Sequence, residues 1–368
     1  MGEWKEYRLS NICDISAGGD APNNVVKYPS KGMTVPVFSN GEKDNGLYGY
    51  TNLYKIEAPA VTISARGNVG FVCFRKENFV PIVRLITAKA NEQIVTNEYL
   101  YYCLRNTRIW GDGSVQKQLT VPMISEYVIS IPRKNTQNKI VSILKSLDDK
   151  IEVNRKINEN LEQQAQALFK SWLKDCEDEV TIGDLSLNIT DYTKCEQKQV
   201  VLINSSDVTE GRFDHHNLSE NKNLKGHFKK RFQKGDILYS QVRPRNRHWG
   251  YCTFNADNYL ASTQLMVIRN KKEIIPSILL YQYLIDNNVW MDFTLRTETR
   301  SGTFPQGNYE DLSAIKVPFD TNVKEISDNL ENIYSLIYKN VESSRRLASL
   351  RDTLLPKLMS GELKVNEL

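Results

Sequence analysis

The spacing of apolar residues between Ile140 and Trp172 predicts a long helix with one buried stripe. The stripe positions follow one another at alternating steps of three and four residues, which is the heptad pattern of a helix that pairs with another helix. The apolar positions are Leu144, Leu147, Ile151, Leu161, Ala165, Leu168 and Trp172. Asn154 and Asn158 occupy the two remaining places. Because such a stripe is stable only when it is covered, we expect a second helix to pack against it.

A second stripe with the same spacing closes the chain between Ile326 and Leu358. Its apolar positions are Leu330, Ile333, Ile337, Leu347, Leu354 and Leu358, and its polar positions are Asn340, Ser344 and Arg351. Each position lies 186 residues after its counterpart in the first stripe. We therefore predict that the two helices pair as an antiparallel coiled coil, in which Asn154 and Asn340 fix the register at some cost in stability. The alternative, two unrelated amphipathic helices packed on separate domains, does not account for the shared offset.

The two helices divide the chain into four predicted parts. These are a first globular domain over 1–134, a long helix over 135–176, a second globular domain over 177–320 and a second long helix over 321–368. Short alternating segments bounded by Gly and Asn turns predict many short strands in both globular domains. The expected fold class is α+β, a tandem duplication of a mixed α/β domain with a long helix after each copy.

Short segments in the second globular domain match segments in the first. Residues 235–240 match the strand at 60–64, and the arginines that follow residue 240 stand before a glycine turn, as a match to Arg66-Gly67-Asn68 in the first domain. The polar segments at 117–120 and 296–303 form a second matched pair. The duplication therefore predicts that equivalent loops serve equivalent purposes in the two domains, although their sequences differ strongly.

Composition limits the class of protein but does not identify it. The chain has 368 residues, of which 40% are hydrophobic and 25% are charged, as is typical of a globular protein with more than one domain. No apolar run is long enough to cross a membrane, and Met1–Lys5 lacks the apolar core of a signal peptide. The six cysteines show no metal-binding spacing, so reduced thiols in the cytoplasm are expected. A net charge of +4 is only mildly basic.

The length of the first helix indicates what a duplicated protein of this kind could span. Residues 137–173 form a helix of roughly 55 Å at 1.5 Å per residue. If the helices are antiparallel, the two domains are expected at opposite ends. A separation of about 50 Å corresponds to roughly fifteen base pairs of duplex DNA. Two similar domains at that spacing would contact two half-sites with an untouched gap between them.

Basic residues support a nucleic-acid partner. Nine lysines and arginines stand between Lys222 and His248 against one acidic residue, Asp236, with aromatic residues and histidines interleaved. Such a run suits contacts to phosphates and to guanine, although a solvated basic face has the same composition. The candidate DNA-binding residues are Arg66, Asn68, Lys117, Gln118, Lys229, Lys230, Arg231, Arg243, Arg245, Arg247, Arg296, Arg300 and Thr303.

The sequence offers no catalytic or metal site. It contains neither a Gly-x-Gly-x-x-Gly segment after a strand nor a phosphate-loop lysine. The Asn/Asp-Pro-Pro-Tyr/Phe tetrapeptide of amino-methylating DNA enzymes is also missing. His215 and His216 stand together without a third metal ligand nearby in the sequence. We therefore predict a non-catalytic protein that holds no metal.

The helices resemble conserved regions of a known family, the specificity subunits of type I restriction-modification systems. Residues 144–172 closely resemble the central conserved region of that family, and 350–363 resemble its C-terminal one. Residues 4–12 and 237–243 look like the starts and strands of its target-recognition domains. One departure occurs at 135–137, where the family usually has Glu-Gln and this chain keeps only the glutamine.

The resemblance implies a mechanism. Each globular domain would be a target-recognition domain that reads one half of a bipartite, asymmetric DNA sequence. The helices would act as spacer and as docking platform for two methyltransferase subunits that modify adenine N6, and two motor-nuclease subunits would join for restriction. The chain itself would bind no cofactor, since S-adenosylmethionine, ATP and Mg belong to the partner subunits. The methyltransferases must flip the adenine out of the duplex. The expected location is the cytoplasm of a bacterium or an archaeon.

Two other classes of protein are to be weighed against this resemblance. A DNA-modifying enzyme that acts alone would need a cofactor or metal motif, and the sequence lacks one. A coiled-coil scaffold that does not bind DNA would not account for the basic stretch between Lys222 and His248. A steep dependence of DNA binding on salt concentration would exclude such a scaffold.

Overall fold

The chain forms two compact units, each of which contains part of both long helices. The computed structural model describes residues 4–111, 118–224, 226–298 and 305–365. The first unit comprises residues 1–153 together with 343–368, and the second comprises 154–342.

Short strands and α-helices make up the described part of the first unit, which also includes the C-terminal part of the last long helix of the chain. The strands are β1 (Lys5–Arg8), β2 (Cys13–Ala17), β3 (Val35–Phe38), β4 (Leu47–Thr51), β5 (Ala60–Ile63), β6 (Val72–Arg75), β7 (Val80–Pro81), β8 (Ile86–Ala90) and β9 (Val128–Ile131). The helices are α1 (Asn97–Asn106), α2 (Val121–Ser125) and α3 (Lys134–Asp175). One antiparallel sheet has the order β2-β8-β5-β6, a second has the order β4-β3-β7 with β3 parallel to β7, and β1 pairs with β9. The C-terminal half of α3 belongs to the second unit.

The second unit is built from a similar set of elements. The strands are β10 (Asp178–Thr181), β11 (Ser186–Asn188), β12 (Gln199–Ile203), β13 (Val208–Thr209), β14 (Arg212–Phe213), β15 (Leu218–Glu220), β16 (Phe228–Lys230), β17 (Ile237–Ser240), β18 (Trp249–Tyr251), β19 (Tyr259–Ser262), β20 (Leu265–Asn270) and β21 (Lys316–Phe319). The helices are α4 (Ile182–Leu185), α5 (Ser277–Ile285), α6 (Asn287–Glu298), α7 (Tyr309–Ser313) and α8 (Lys324–Ser360). The main sheets have the orders β11-β20-β17-β18 and β15-β12-β19-β16.

The strand orders show that the chain is a tandem duplication, as predicted. The sheet β11-β20-β17-β18 repeats β2-β8-β5-β6, the parallel pair β12–β19 repeats β3–β7, and β10–β21 repeats β1–β9. The central strands β5 and β17 are buried along their whole length, because each has neighbouring strands on both edges and a helix against its face. The predicted α+β class is therefore confirmed.

The two long helices run antiparallel, which confirms the predicted pairing. Within the second unit, the Asn154 side-chain amide donates to the backbone carbonyl of Asn340, and the Asn158 amide donates to that of Ile337. The partner number falls as the α3 number rises, which defines an antiparallel pair. Within the first unit, Asp148 of α3 binds Arg351 of α8 at 2.7 Å. The Asn340 amide also donates to the Asn158 side chain at 2.9 Å.

The residues of the predicted seam are covered to different extents. Buried ones are Leu144, Asn154, Ala165, Leu330, Ile337 and Leu358. Half-buried ones are Leu147, Ile151, Leu161, Ile333, Asn340, Leu347 and Leu354. Leu168 is 39% exposed, and the next residue, Phe169, occupies the buried place at 2% exposure. The buried stripe therefore shifts by one residue near the end of α3. An α-helix with 3.6 residues per turn drifts by about 20° per heptad against a strict seven-residue repeat.

Polar and aromatic contacts fix the ends of the long helices. Gln137 is buried in the first turns of α3, where its amide donates to the carbonyls of Ile94 and Pro132, both at 2.9 Å. Its side-chain oxygen accepts from the Thr96 N–H at 3.2 Å. At the end of α8, Gly361 adopts φ +74° and would clash with the Trp4 indole if it carried a Cβ atom. Each helix is thus anchored to the first unit at one terminus.

Candidate nucleic-acid interface

Loops from the carboxyl ends of three strands meet at one edge of the first unit. We call this edge the first loop face, and it comprises residues 39–46, 64–70, 83–84 and 118–119. Asn40 joins two of these loops, because its side-chain oxygen accepts from the Ala65 N–H and its amide donates to the Val83 carbonyl, both at 2.7 Å. The Leu119 N–H donates to the Ala65 carbonyl at 2.9 Å. The hydrogen bonds hold the loops as one surface.

Three of the predicted DNA-binding residues lie together on the first loop face. Arg66 and Asn68 are exposed in the turn after β5, which reverses direction at Gly67 with φ +68°. The Arg66 guanidinium donates to the Gln118 side-chain oxygen at 3.3 Å. Lys117, which was predicted with them, lies outside the described residues. The turn therefore presents amide and guanidinium groups of the kind that read base edges.

Further residues of this face were missed by the sequence reasoning. Arg84 is exposed with φ +61°, a backbone conformation that is uncommon for arginine. Trp110 is half exposed, and the Arg108 guanidinium carbon lies 3.8 Å from its ring centroid. A Cβ atom on the adjacent Gly111 would lie 3.0 Å from the backbone of Gln118, so the tryptophan stands beside the loop face. The sequence signal was weak, because single arginines and tryptophans are common in loops.

The second unit presents a corresponding edge, which we call the second loop face. It comprises residues 204–207, 241–248, 263–264 and 305–307. Val242 and Gln306 form an isolated antiparallel bridge, which repeats the contact between residues 65 and 119 of the first face. The Gln241 N–H donates to the Gln264 carbonyl at 3.0 Å. The same strand ends therefore build both faces, with different side chains on each.

The predicted arginines of the β17–β18 loop are held in place on the second loop face. A 3-10 helix, Pro244–Asn246, is flanked by Arg243 and Arg247, and both arginines have left-handed backbone angles. Arg245 forms an ion pair with Glu298, and its Nη2 atom donates to the Glu298 carboxylate at 2.6 Å. This hydrogen bond raises the pKa of Arg245. The Arg247 guanidinium carbon lies 4.1 Å from the ring centroid of Trp290.

The predicted polar loop at 296–303 is partly helical. Arg296 lies on α6, where it binds Asp292 one turn earlier through hydrogen bonds of 2.8 and 3.1 Å. The hydrogen bond to Asp292 raises the pKa of Arg296. Expecting a loop at Arg296 was therefore wrong, because the i,i+4 ion pair and the packing of Phe293 extend the helix through it. Arg300 and Thr303 lie outside the described residues.

Lys229, Lys230 and Arg231 lie on or directly after β16, which pairs with β19, and they are not part of the loops that define the second loop face. Lys230 is 6% exposed on β16, and its ammonium group donates to the Leu265 carbonyl at 2.7 Å. Burial lowers the pKa of Lys230. The Arg231 guanidinium donates at 2.8 Å to the carbonyl of Asp257, a residue that precedes β19, whereas the loop face follows that strand. Lys229 is exposed, and its ammonium group lies 4.8 Å from the ring centroid of Tyr192.

Each unit joins its short helix to the long helices through a polar contact, and the two contacts differ in chemistry. In the first unit, the Tyr102 hydroxyl of α1 donates to Asp148 at 2.7 Å, and Asp148 binds Arg351. Burial and the nearby Asp148 raise the pKa of Tyr102. In the second unit, the Gln282 amide of α5 donates to the Tyr334 hydroxyl of α8 at 2.8 Å. Tyr334 lies 186 residues after Asp148, so a neutral pair stands where the first unit has a charged network.

Histidine, cysteine and acidic side chains are those that could bind a metal ion. Among residues 4–111, 118–224, 226–298 and 305–365, no group of three or more His, Cys, Asp and Glu side chains is placed to hold a metal ion. His215 instead faces Asp207 at 3.4 Å, and His216 contacts the Tyr259 hydroxyl at 2.5 Å. In the same part of the chain, no helix combines the length and hydrophobicity of a membrane span.

The fold and the two loop faces define a class of protein: a duplicated α+β chain with polar strand-end loops and two antiparallel long helices. A family model described as the type I restriction modification DNA specificity domain matches residues 1–163. The Type I restriction enzyme HindI specificity subunit of Haemophilus influenzae is 34% identical over 181 residues, which cover 48% of this chain and 39% of that protein. A putative type I specificity subunit of Mycoplasma pneumoniae, a C-terminal portion, is 34% identical over 98 residues, which cover 27% of this chain and 67% of that sequence.

A solved structure shares the fold over most of the chain. The crystal structure of a type I restriction-modification system S subunit from M. genitalium superposes with a TM-score of 0.58 and 17% sequence identity. The match covers 97% of this chain and 96% of that one. The chain therefore belongs to the family of type I restriction-modification specificity subunits. The match to the Haemophilus protein spans about two fifths of that relative's length, 39%.

Proposed function

We propose that this chain is the non-catalytic DNA-recognition subunit of a type I restriction-modification complex. Each loop face reads one half of a bipartite target, within recognition domains at 1–134 and 177–320. The observation that carries the proposal is the pair of loop faces. Both are built from the same strand ends, but they present different side chains, such as Arg66 and Gln118 on one and Arg243 and Gln306 on the other. Two readers with one architecture and different residues suit an asymmetric sequence.

The antiparallel helices supply the second part of the proposal. They set the number of base pairs between the two half-sites, and their exposed surfaces dock two methyltransferase subunits. Leu336 and Leu350 of α8 are half exposed, as are Val153 and Ile157 of α3, and such side chains suit protein partners. Two motor-nuclease subunits complete the complex for restriction. S-adenosylmethionine, ATP and Mg belong to the partner subunits, and the complex acts in the cytoplasm.

Adenine methylation mapping tests this proposal. The genome of the source organism is mapped with and without the gene for this chain. Loss of one gapped, asymmetric motif is expected, because a single chain supplies both recognition domains. An unchanged methylation pattern, combined with no methyltransferase co-purifying with the chain, would contradict the proposal. DNA binding that does not weaken with salt would also contradict it, since phosphate contacts release counterions.

A further inference from the structure

Helix α6 distinguishes the second unit from the first. It follows α5 directly, with Asp286 between the two helices. In the first unit the chain leaves α1 after Asn106, and residues 107–111, the described part of the corresponding segment, are not helical. A helix therefore lies next to the second loop face, whereas residues 107–111 form no helix next to the first loop face.

One side of α6 contacts the arginine loop of the second loop face. The Trp290 indole N–H donates to the Pro244 carbonyl at 2.9 Å, and the Arg247 guanidinium stacks on the same ring. Arg247 also donates to the Asn287 side-chain oxygen at 3.2 Å. Glu298, two turns beyond Trp290, binds Arg245. Positions 287, 290 and 298 fall on one side of the helix, since 3.6 residues complete a turn.

The loop that α6 contacts has an unfavourable backbone conformation at two arginines. Arg243 has φ 49° and ψ 65°, and Arg247 has φ 54° and ψ 43°. Left-handed angles are unfavourable for a residue with a Cβ atom, and they persist where surrounding contacts hold them. On the other side of the loop, the Arg243 N–H donates to the Pro305 carbonyl at 3.1 Å. Trp290 binds the carbonyl of Pro244, the residue that begins the 3-10 helix of the loop.

We propose that Trp290 is a positioning residue for DNA specificity. It holds the Arg243–Arg247 loop in one conformation, so that the second loop face discriminates between base pairs in its own half of the target. The inference rests on the proposed function and adds to it a residue outside the predicted DNA contacts. A guanidinium that is oriented before binding loses less freedom when it engages a base edge. A loop that moved freely would bind phosphates equally well but would discriminate less between bases.

Selection from a pool of duplex DNA with randomised sequence tests the role of Trp290. The full chain is used with whatever subunits co-purify with it, and the selected duplexes are sequenced. An Arg66→Ala variant identifies the half of the motif that the first loop face reads. Trp290→Phe keeps an aromatic ring under Arg247 but removes the donor to Pro244. We expect it to lower discrimination between preferred and substituted base pairs in the other half by about tenfold.

Controls separate positioning from general stability. Asn288→Ala alters an exposed residue of α6 whose helical position points away from the side that carries positions 287, 290 and 298, and it should leave both halves of the motif unchanged. Asn287→Ala removes the acceptor for Arg247 at an exposed position, so it should shift the same half as Trp290→Phe without disturbing the core. Thermal unfolding of each variant accompanies the selections.

Three results are distinguishable. Loss of discrimination confined to the half not marked by Arg66→Ala supports the positioning role. Unchanged discrimination in both Trp290→Phe and Asn287→Ala, or an equal loss in both halves, overturns it while leaving the proposed function intact. If the wild-type chain selects no sequence at all, the proposed function fails and the positioning role fails with it.

Discussion

Arg351→Met tests how the first unit is fixed to its helices. Arg351 of α8 binds Asp148 of α3 at 2.7 Å and Asp352 at 2.8 Å. Asp148 also accepts from Tyr102, and Arg105 approaches it at 3.9 Å. Burial alone lowers the pKa of Arg351, but the hydrogen bonds to Asp352 and Asp148 outweigh it and raise the pKa overall. Methionine fills the volume of the arginine stem and removes only the charged end.

The solvent exposure of Arg351 and Asp148 determines how much stability the substitution should remove. A hydrogen bond to a charged group contributes about 1.5–3 kcal/mol, whereas an ion pair in full solvent contributes about 0–1 kcal/mol. The Arg351 side chain is 12% exposed and that of Asp148 25%, so we expect a loss of about 2 kcal/mol after discounting for solvent screening. In a unit of roughly 180 residues, each kcal/mol lowers the Tm by about 2–4 °C. The variant should therefore melt about 4–8 °C below the wild type.

Calorimetric unfolding of the full chain at low and high salt provides the measurement. Raising NaCl from about 0.05 to 0.5 M should shrink the Tm difference, because salt screens partly exposed charges. Tyr334→Phe is the matched control, since it breaks the neutral contact to Gln282 at the equivalent position. Its Tm difference should not depend on salt. A change below about 1 °C for Arg351→Met, or additivity with Asp148→Asn within about 0.3 kcal/mol, would refute the reasoning.

Three further predictions concern DNA contacts, pH and helix length. In a plot of log affinity for DNA against log salt concentration, Arg66→Ala should lower the magnitude of the slope by about one. Lys230→Met should leave the slope unchanged, because the buried ammonium group cannot reach a phosphate. Equal slopes for both variants would contradict this assignment. Burial raises the pKa of the Cys13, Cys103 and Cys252 thiols from 9.0 to about 12 in the folded chain. Because the unfolded thiols ionise first, the Tm should be constant up to about pH 9 and fall between about pH 9 and 12. A Tm at about pH 10.5 equal to that at neutral pH would count against this linkage. Inserting seven residues at the middle of both long helices should widen the gap in the methylated motif and leave each half-site unchanged. Methylation mapping measures both the gap and the half-sites. A change in either half-site would contradict the spacer role.

The helices could be predicted from the sequence because their stabilising pattern is local and repeated. The 186-residue offset relates Asn154 to Asn340 in the sequence, and the order of domains and helices favours the antiparallel pairing. The shift of the buried position from Leu168 to Phe169 could not be predicted in the same way. Both residues are apolar and adjacent, so the sequence pattern suits either one, and the packing of Phe169 against Tyr283 at a ring distance of 5.0 Å decides between them.

The loop faces were only partly predictable. Matching strands located Arg66 and Arg243, because each arginine follows a short apolar strand that can be recognised in the sequence. Lys230 could not be distinguished from its exposed neighbours, since burial of its stem depends on pairing between β16 and β19. Helix α6 was missed because its apolar and polar residues do not form a clear stripe, and its stability comes from tertiary contacts such as that of Trp290 with Pro244.

The polar contacts between short and long helices affect how this gene can exchange parts with others. Tyr102, Asp148 and Arg351 form one network but lie in three separate stretches of the sequence. A crossover that replaced the first globular region alone would inherit the acceptor and the guanidinium without their hydroxyl donor. Transplanting the second globular region there would set the Gln282 amide against a carboxylate, in place of the Tyr334 hydroxyl. A glutamine amide can donate to a carboxylate as it does to the Tyr334 hydroxyl, so this transplant would keep a donor and an acceptor at the contact, whereas a domain without a donor at that place would lose its bond to Asp148.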